Sequence, residues 1–243
     1  MCFEPDSRPP IPVVAGAAIS HEDLVLRAKD GNRFAAFAAA PDERSEPGVV
    51  ILPDVRGLYR FYEELALRFA ERGMIAVAID YFGRTAGLDK RGDDFEYRPH
   101  VEQTTEEGVQ ADVAAAVDWL RERGARSIFS VGFCFGGRKS WLAAAAGHDL
   151  AGAIGFYGRT GAELAGGVEA PILALQAGDD QNISAEDNAA LDAALSAAGV
   201  EHEVVTYEGA PHSFFDRRYE DYADASEDAW RRVLAFIERY SSR

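Results

Sequence analysis

One cysteine lies in a sequence context that favours nucleophilic chemistry. Residues 131–137 read Val-Gly-Phe-Cys-Phe-Gly-Gly, between an apolar run and a run of small residues. The pattern is Gly-x-nucleophile-x-Gly, in which glycines flank a sharp strand-to-helix turn because larger side chains would collide there. We therefore expect Cys134 to be a nucleophile at a helix N-terminus, where the helix dipole favours a thiolate. The N–H of Phe135 is then a candidate oxyanion-hole donor.

Two later segments supply the partners that such a nucleophile needs. An apolar run at 171–175 leads into Asp179 and Asp180, and a second run at 203–207 leads into a loop that carries His212. A carboxylate and an imidazole that follow neighbouring parallel strands meet at one edge of the sheet, where the carboxylate orients the ring. The order nucleophile, acid, histidine is typical of one hydrolase architecture. On physical grounds Asp179 and Asp180 are equally good candidates.

None of the other four histidines is placed for metal binding or for catalysis. They lie in polar segments, after a helix or at the start of a strand, and no His-x-x-x-His or Cys-x-x-Cys spacing occurs. No Gly-x-Gly-x-x-Gly motif opens a helix. We therefore expect no metal and no cofactor.

Taken together, these motifs resemble the dienelactone hydrolase family, a branch of the α/β-hydrolase fold with a Cys-Asp-His triad. The resemblance covers about residues 20–240 and rests on the segments 132–137, 178–180 and 209–214, with matching intervals between them. It implies that Cys134 is the nucleophile, His212 the general base and acid, and Asp180, rather than Asp179, the orienting acid.

The resemblance also draws attention to the segment after the first central strand, which reads Leu-Pro-Asp-Val-Arg-Gly at 52–57. Family members carry a glutamate there that interacts with the resting thiol, and this chain has the shorter Asp54. Either Asp54 takes that role after a small backbone shift, or the thiol is activated differently. By the same resemblance, the N–H of Val55 is the second oxyanion donor.

The substrate-binding residues depart from the family pattern. Arginines hold the family's substrate carboxylate, and one of them lies just after the catalytic histidine, where this chain has Asp216 followed by Arg217. Arg217 and Arg84 are therefore the candidate substrate-binding arginines. Tyr81 and Phe133 are candidates for an apolar pocket wall.

The elements that must position these residues alternate between strand and helix from residue 49 onward. This order predicts an α/β-hydrolase fold with a mostly parallel central sheet and helices on both faces. An antiparallel hairpin of 23–29 and 33–40 precedes it, with an Asp-Gly turn. A polar loop at 84–100 is a candidate lid. We expect a Pro-rich N-terminal arm at 1–20 and a single domain at 21–243.

Composition limits the partners. The 243 residues carry a net charge of −16, which disfavours nucleic acid and anionic membranes, and no apolar run is long enough to span a bilayer. The N-terminal sequence lacks the pattern of a signal peptide. Cys2 and Cys134 form no disulfide framework, so we expect a cytoplasmic protein, either a monomer or a homodimer.

These observations predict a hydrolase that cleaves a lactone or ester of a small molecule through a cysteine nucleophile and a thioester intermediate. A general carboxylesterase or thioesterase on the same scaffold is an alternative. A non-catalytic binding protein of this fold is another.

Overall fold

The computed structural model describes residues 3–4, 6–43, 45–159, 164 and 166–241. Cys2 lies outside the described residues. Eight strands form one sheet: β1 (Ile19–Arg27), β2 (Arg33–Pro41), β3 (Pro47–Leu52), β4 (Ile75–Ile79), β5 (Ser127–Phe133), β6 (Gly152–Phe156), β7 (Ile172–Asp179) and β8 (His202–Pro211).

The sheet is mostly parallel, as the alternation of elements predicts. Its order is β1-β2-β4-β3-β5-β6-β7-β8, and the strands from β4 to β8 pair in parallel. The predicted hairpin is confirmed: β1 and β2 pair antiparallel, and β2 also joins β4 antiparallel. Gly31 makes the turn with a φ of 91°, which side chains other than glycine rarely adopt. The carboxyl ends of β3, β5, β7 and β8 therefore share one edge.

Helices cover both faces of the sheet. They are α1 (Arg60–Ala70), α2 (Gly83–Ala86), α3 (Arg98–Gln103), α4 (Glu106–Glu122), α5 (Phe135–Ala143), α6 (Ala185–Ala197) and α7 (Ala223–Ser241). The alternation of side chains along each strand sends Val49 and Ile51 into a core with α1 and α7. Val50 and Leu52 point to the other face and pack with α4. This two-sided burial explains the continuous apolar runs of the central strands.

The polar segment 84–100 is more ordered than its composition indicates. The expectation of one irregular loop was wrong at both ends, where α2 and α3 form short helices. Between them, Arg91 is buried and pairs with the buried Asp80 at 2.8 Å. A buried pair with both charges satisfied fixes this segment against the end of β4.

The N-terminal arm packs against the domain in its first part, whereas its residues 12–16 are exposed. Phe3 and Ser7 are fully buried, and Ile11 is nearly so. Within the described ranges, none of the helices is both long enough and apolar enough to cross a bilayer.

Candidate active site

Cys134 lies on the sharp turn between β5 and α5. Its φ of 54° and ψ of −110° are strained for a residue with a side chain, and its N–H donates to the Phe156 carbonyl at 2.9 Å. A Cβ on Gly132 would clash with the backbone of Gly136, and one on Gly136 would clash with the Leu52 carbonyl. The predicted strand–turn–helix context is therefore present, with the thiol at the start of α5.

His212 and Asp180 meet at the same edge of the sheet. His212 follows β8, and its Nδ1 lies 2.6 Å from Oδ2 of Asp180, whose side chain is fully buried. The neighbouring Asp179 ends β7, is exposed and sits at an irregularity in the pairing with β8. The structure thus brings Asp180 to the imidazole and turns Asp179 to solvent.

His212 also hydrogen-bonds to the Cys134 side chain. Burial alone would lower the pKa of His212, but the hydrogen bonds to Asp180 and Cys134 outweigh it and raise that pKa from 6.5 to about 9. The Asp180 pKa is shifted the opposite way: burial would raise it, and the bond to His212 together with the Asn182 N–H holds it below its usual value. An imidazolium that is stable at neutral pH favours a thiolate beside it.

Asp54 is fully buried and close enough to Cys134 to interact with its charge. Its Oδ1 accepts from the Arg56 N–H at 2.8 Å, and its Oδ2 accepts from the Phe3 N–H at 3.3 Å and the Tyr59 hydroxyl at 3.4 Å. Burial raises the pKa of Asp54 to about 6, and the nearby charge of Cys134 contributes in the same direction, while the two N–H donors oppose it. The protonation of Asp54 is therefore coupled to the charge of the thiol.

The sequence offers two backbone N–H groups as oxyanion-hole donors, those of Phe135 and Val55. The Phe135 N–H is at the first position of α5, and the Val55 N–H follows Asp54. Among the described residues, neither group has a hydrogen-bond partner. Unpartnered N–H groups from two chain segments are what an oxyanion hole requires.

Tyr81 and Phe133 lie behind the site rather than on an open pocket surface. Both are almost completely buried. The Tyr81 hydroxyl donates to the Pro53 carbonyl at 2.9 Å, and burial, with the charge of Asp54 contributing, raises its pKa well above the usual value. The Phe133 ring stacks on Phe156 at 4.6 Å. They support the segments that carry Asp54 and Cys134.

The two candidate arginines lie in different settings. Arg84 pairs with Asp30 of the hairpin turn at 2.6 Å and with the buried Asp112 of α4. Its guanidinium is therefore engaged by two carboxylates. Arg217 is exposed on the loop after His212, and its N–H donates to the Arg8 carbonyl at 3.2 Å. Neither arginine makes a contact with Cys134 or His212 in the described chain.

Sequence reasoning missed several residues around the site. Phe3 reaches Asp54 from the arm. Tyr157, which the sequence offers as one of several aromatic pocket residues, places its ring 4.9 Å from that of His212 with a φ of 38°. Tyr62 accepts the Asp54 N–H at 2.8 Å. The helical periodicity of α1 indicates that Tyr62 is buried, but no local signal points from Phe3 to Asp54, 51 residues away. Within the described chain, no cluster of ligating side chains of the kind that holds a metal is present.

Comparison with known proteins identifies the family and the fold. The model of the dienelactone hydrolase family matches residues 34–241. A protein of Escherichia coli K12 named "Putative carboxymethylenebutenolidase" is 29% identical over 88% of this chain and 85% of its own length. The carboxymethylenebutenolidase of Rhodococcus opacus is also 29% identical, over 99% of this chain and 97% of its own. A Klebsiella pneumoniae structure titled "Putative Dienelactone Hydrolase" superposes with a TM-score of 0.82 at 25% identity, covering 92% and 100% of the two chains.

Proposed function

The chain belongs to the dienelactone hydrolase family of ester and lactone hydrolases, and we propose that it works through a Cys134 nucleophile and a thioester intermediate. One observation carries the proposal: a continuous hydrogen-bonded series runs from the buried Asp180 through His212 to the thiol of Cys134. A nucleophile, a base and a group that orients the base are the parts that covalent acyl transfer needs.

Acylation begins with the thiolate and imidazolium already paired. The Cys134 sulfur adds to the substrate carbonyl carbon, and the negative charge moves onto the carbonyl oxygen. The N–H groups of Val55 and Phe135 then stabilise that oxyanion, at about 3 kcal/mol for each well-placed donor. As the tetrahedral intermediate collapses, the carbon–oxygen bond to the leaving group breaks, and the alkoxide takes the proton from His212.

Deacylation returns the enzyme to its starting state. His212 is now neutral, and it removes a proton from a water molecule that attacks the thioester carbonyl. The carbon–sulfur bond breaks, the carboxylic acid leaves, and the thiolate is again paired with an imidazolium. Because a thiolate leaves more readily than an amine does, the same intermediate formed from an amide tends to revert. The mechanism therefore favours esters and lactones over peptides.

The substrate we propose is a neutral ester or lactone of a small molecule. Arg84 is engaged by Asp30 and Asp112, and Asp216 puts a buried carboxylate where the family's second arginine would be. Arg84 is thus held by two carboxylates, and the net charge of −16 of the chain disfavours an anionic substrate. The same observation favours the second candidate, a general carboxylesterase.

The test compares three substrates with two enzymes. Wild type and Cys134→Ala are assayed on p-nitrophenyl acetate, on an uncharged lactone and on a dienelactone that carries a carboxylate. We expect wild type to open the two neutral substrates with much higher kcat/KM than the dienelactone, and Cys134→Ala to be inactive on all three. Preference for the dienelactone would overturn the substrate class alone. If Cys134→Ala is as active as wild type, the assignment of Cys134 as the nucleophile is wrong. If wild type is inactive as well, the protein is the non-catalytic binding protein instead.

A further inference from the structure

An aromatic residue of the N-terminal arm lies inside the active-site region. The Phe3 ring is fully buried and stacks on Phe61 of α1 at 4.0 Å. It also meets Phe133, which precedes the nucleophile, at 6.0 Å and Tyr157, which packs on His212, at 6.3 Å. Phe3 therefore touches the neighbours of both reacting side chains.

The backbone of Phe3 holds the acid beside the thiol. Among the donors to the Asp54 carboxylate in the described chain, the N–H of Arg56 and the hydroxyl of Tyr59 are local, whereas the N–H of Phe3 lies 51 residues away in sequence. A carboxylate with donors on both oxygens has one orientation. Removal of the arm would leave Oδ2 with the Tyr59 hydroxyl as its remaining donor among those named here and would open the carboxylate to water.

Two ion pairs fasten the arm shortly after this contact. Arg8 pairs with Glu64 of α1 at 2.9 Å. Asp6 pairs with Arg218 at 3.0 Å, and Asp216 holds the same arginine at 2.9 Å. Asp216 is the residue that replaces an arginine expected from the family resemblance. In this chain, that position anchors the arm through Arg218 instead of receiving a substrate.

We propose that the described residues between 3 and 12 complete the active site, and that Phe3 is a positioning residue which holds Asp54 beside Cys134 and seals it from water. This inference rests on the proposed function only for its catalytic consequence. With Asp54 sealed, its carboxyl takes up a proton more readily and opposes the thiolate less. An Asp54 that is open to water stays ionised and opposes the thiolate.

In the described chain, the titratable groups that bond to the Asp54 carboxylate or interact with its charge come from several segments. They are Cys134 from the turn into α5, Tyr59 at the start of α1, Arg56 from the loop after β3 and Tyr81 after β4. None of them is removed by a change at Phe3. A change in the titration of Asp54 after such a substitution therefore reports on the arm.

The experiment titrates Asp54 directly by carbon-13 NMR of carboxyl-labelled aspartate, with Asp54→Asn to assign the signal. In wild type we expect a pKa of about 6. Phe3→Ala keeps the N–H but removes the ring, and we expect the pKa to fall by at least about one unit because burial is the largest cause of the rise. Phe3→Leu refills most of the space and should restore it. Val13→Ala is the matched control, since Val13 belongs to the same arm and is 64% exposed.

Activity gives the second readout. On p-nitrophenyl acetate, kcat/KM of Phe3→Ala should fall about tenfold, as expected for a misplaced catalytic group, while Val13→Ala matches wild type. If Phe3→Ala does not fold, Arg8→Gln replaces it, because it loosens the arm at its anchor to Glu64 without touching the core. An unchanged Asp54 titration in the folded variant overturns the proposal. An inactive wild type whose Asp54 still responds to Phe3 would instead overturn the proposed function and leave the arm's role standing.

Discussion

The pairing of His212 with Asp180 gives a prediction that can be worked out in magnitude. The rise in the His212 pKa from 6.5 to about 9 corresponds to roughly 3 kcal/mol of preference for the imidazolium, shared between Asp180 and the thiol. The bond to Asp180 is the larger favourable contribution and has a fully buried oxygen at 2.6 Å. Asp180→Asn keeps the size of the side chain and removes the charge.

We expect Asp180→Asn to change both the size and the pH dependence of kcat/KM. An imidazole without its charged partner is less basic and is held less firmly, so kcat/KM should fall by on the order of 10²- to 10⁴-fold. With an alkyl ester, whose alkoxide needs a proton, wild-type kcat/KM should decline above a pH of about 9 as His212 loses its proton. In the variant this alkaline limb should lie at a clearly lower pH.

The assay is hydrolysis of an ethyl ester in a pH-stat, over the range in which the protein stays folded. Asp179→Asn is the matched control because Asp179 is the adjacent carboxylate and is exposed. We expect the control to match wild type in rate and in the position of the alkaline limb. The reasoning is refuted if Asp180→Asn loses less than about threefold with its alkaline limb unmoved, or if Asp179→Asn is the damaged variant.

Three further predictions concern stability and the substrate. Gly136→Ala should destabilise the fold by about 3 kcal/mol or more in urea unfolding, because its Cβ would clash with backbone rather than with a flexible side chain; a loss below about 1 kcal/mol would contradict the geometry. Arg84→Met should lower the free energy of unfolding by about 3 kcal/mol, because Asp112 is then buried without its cation. It should change kcat/KM on neutral esters by less than about twofold; a selective loss of activity on those esters would indicate that Arg84 binds substrate. The pKa of His212 is higher in the folded protein than in the unfolded chain, so its contribution to stability is complete below pH 6.5 and is lost as the pH rises through about 9. The unfolding free energy of wild type should therefore fall over this range more than that of His212→Gln.

Much of the fold follows from local sequence. The apolar runs that form β3, β4 and β5, and the glycines that end α1 and α6, give element boundaries within a few residues of those observed. The turn at Cys134 follows from its flanking glycines, because the steric demand is local. By contrast, α2 and α3 are short and stand in a polar segment, where a buried pair between Asp80 and Arg91 supplies order that periodicity does not reveal.

The parts of the site that sequence reasoning left open depend on long-range contacts. Asp179 and Asp180 are equivalent until the irregular pairing of β7 with β8 determines which one faces the imidazole. Arg84 follows a strand at the correct edge, but its partners Asp30 and Asp112 come from a distant turn and a distant helix. Phe3 has no neighbour in sequence that marks it as part of the site.

The central claim is that Cys134 carries the acyl group, and the most direct test is to isolate that species. Wild type is mixed with p-nitrophenyl acetate, quenched in acid during turnover, and analysed by intact mass and peptide mapping, with Cys134→Ala as the control. The account predicts one added acetyl group in wild type, located on Cys134 and released by hydroxylamine, and none in the control. An acetyl group on another residue, or equal turnover and labelling in Cys134→Ala, would contradict it.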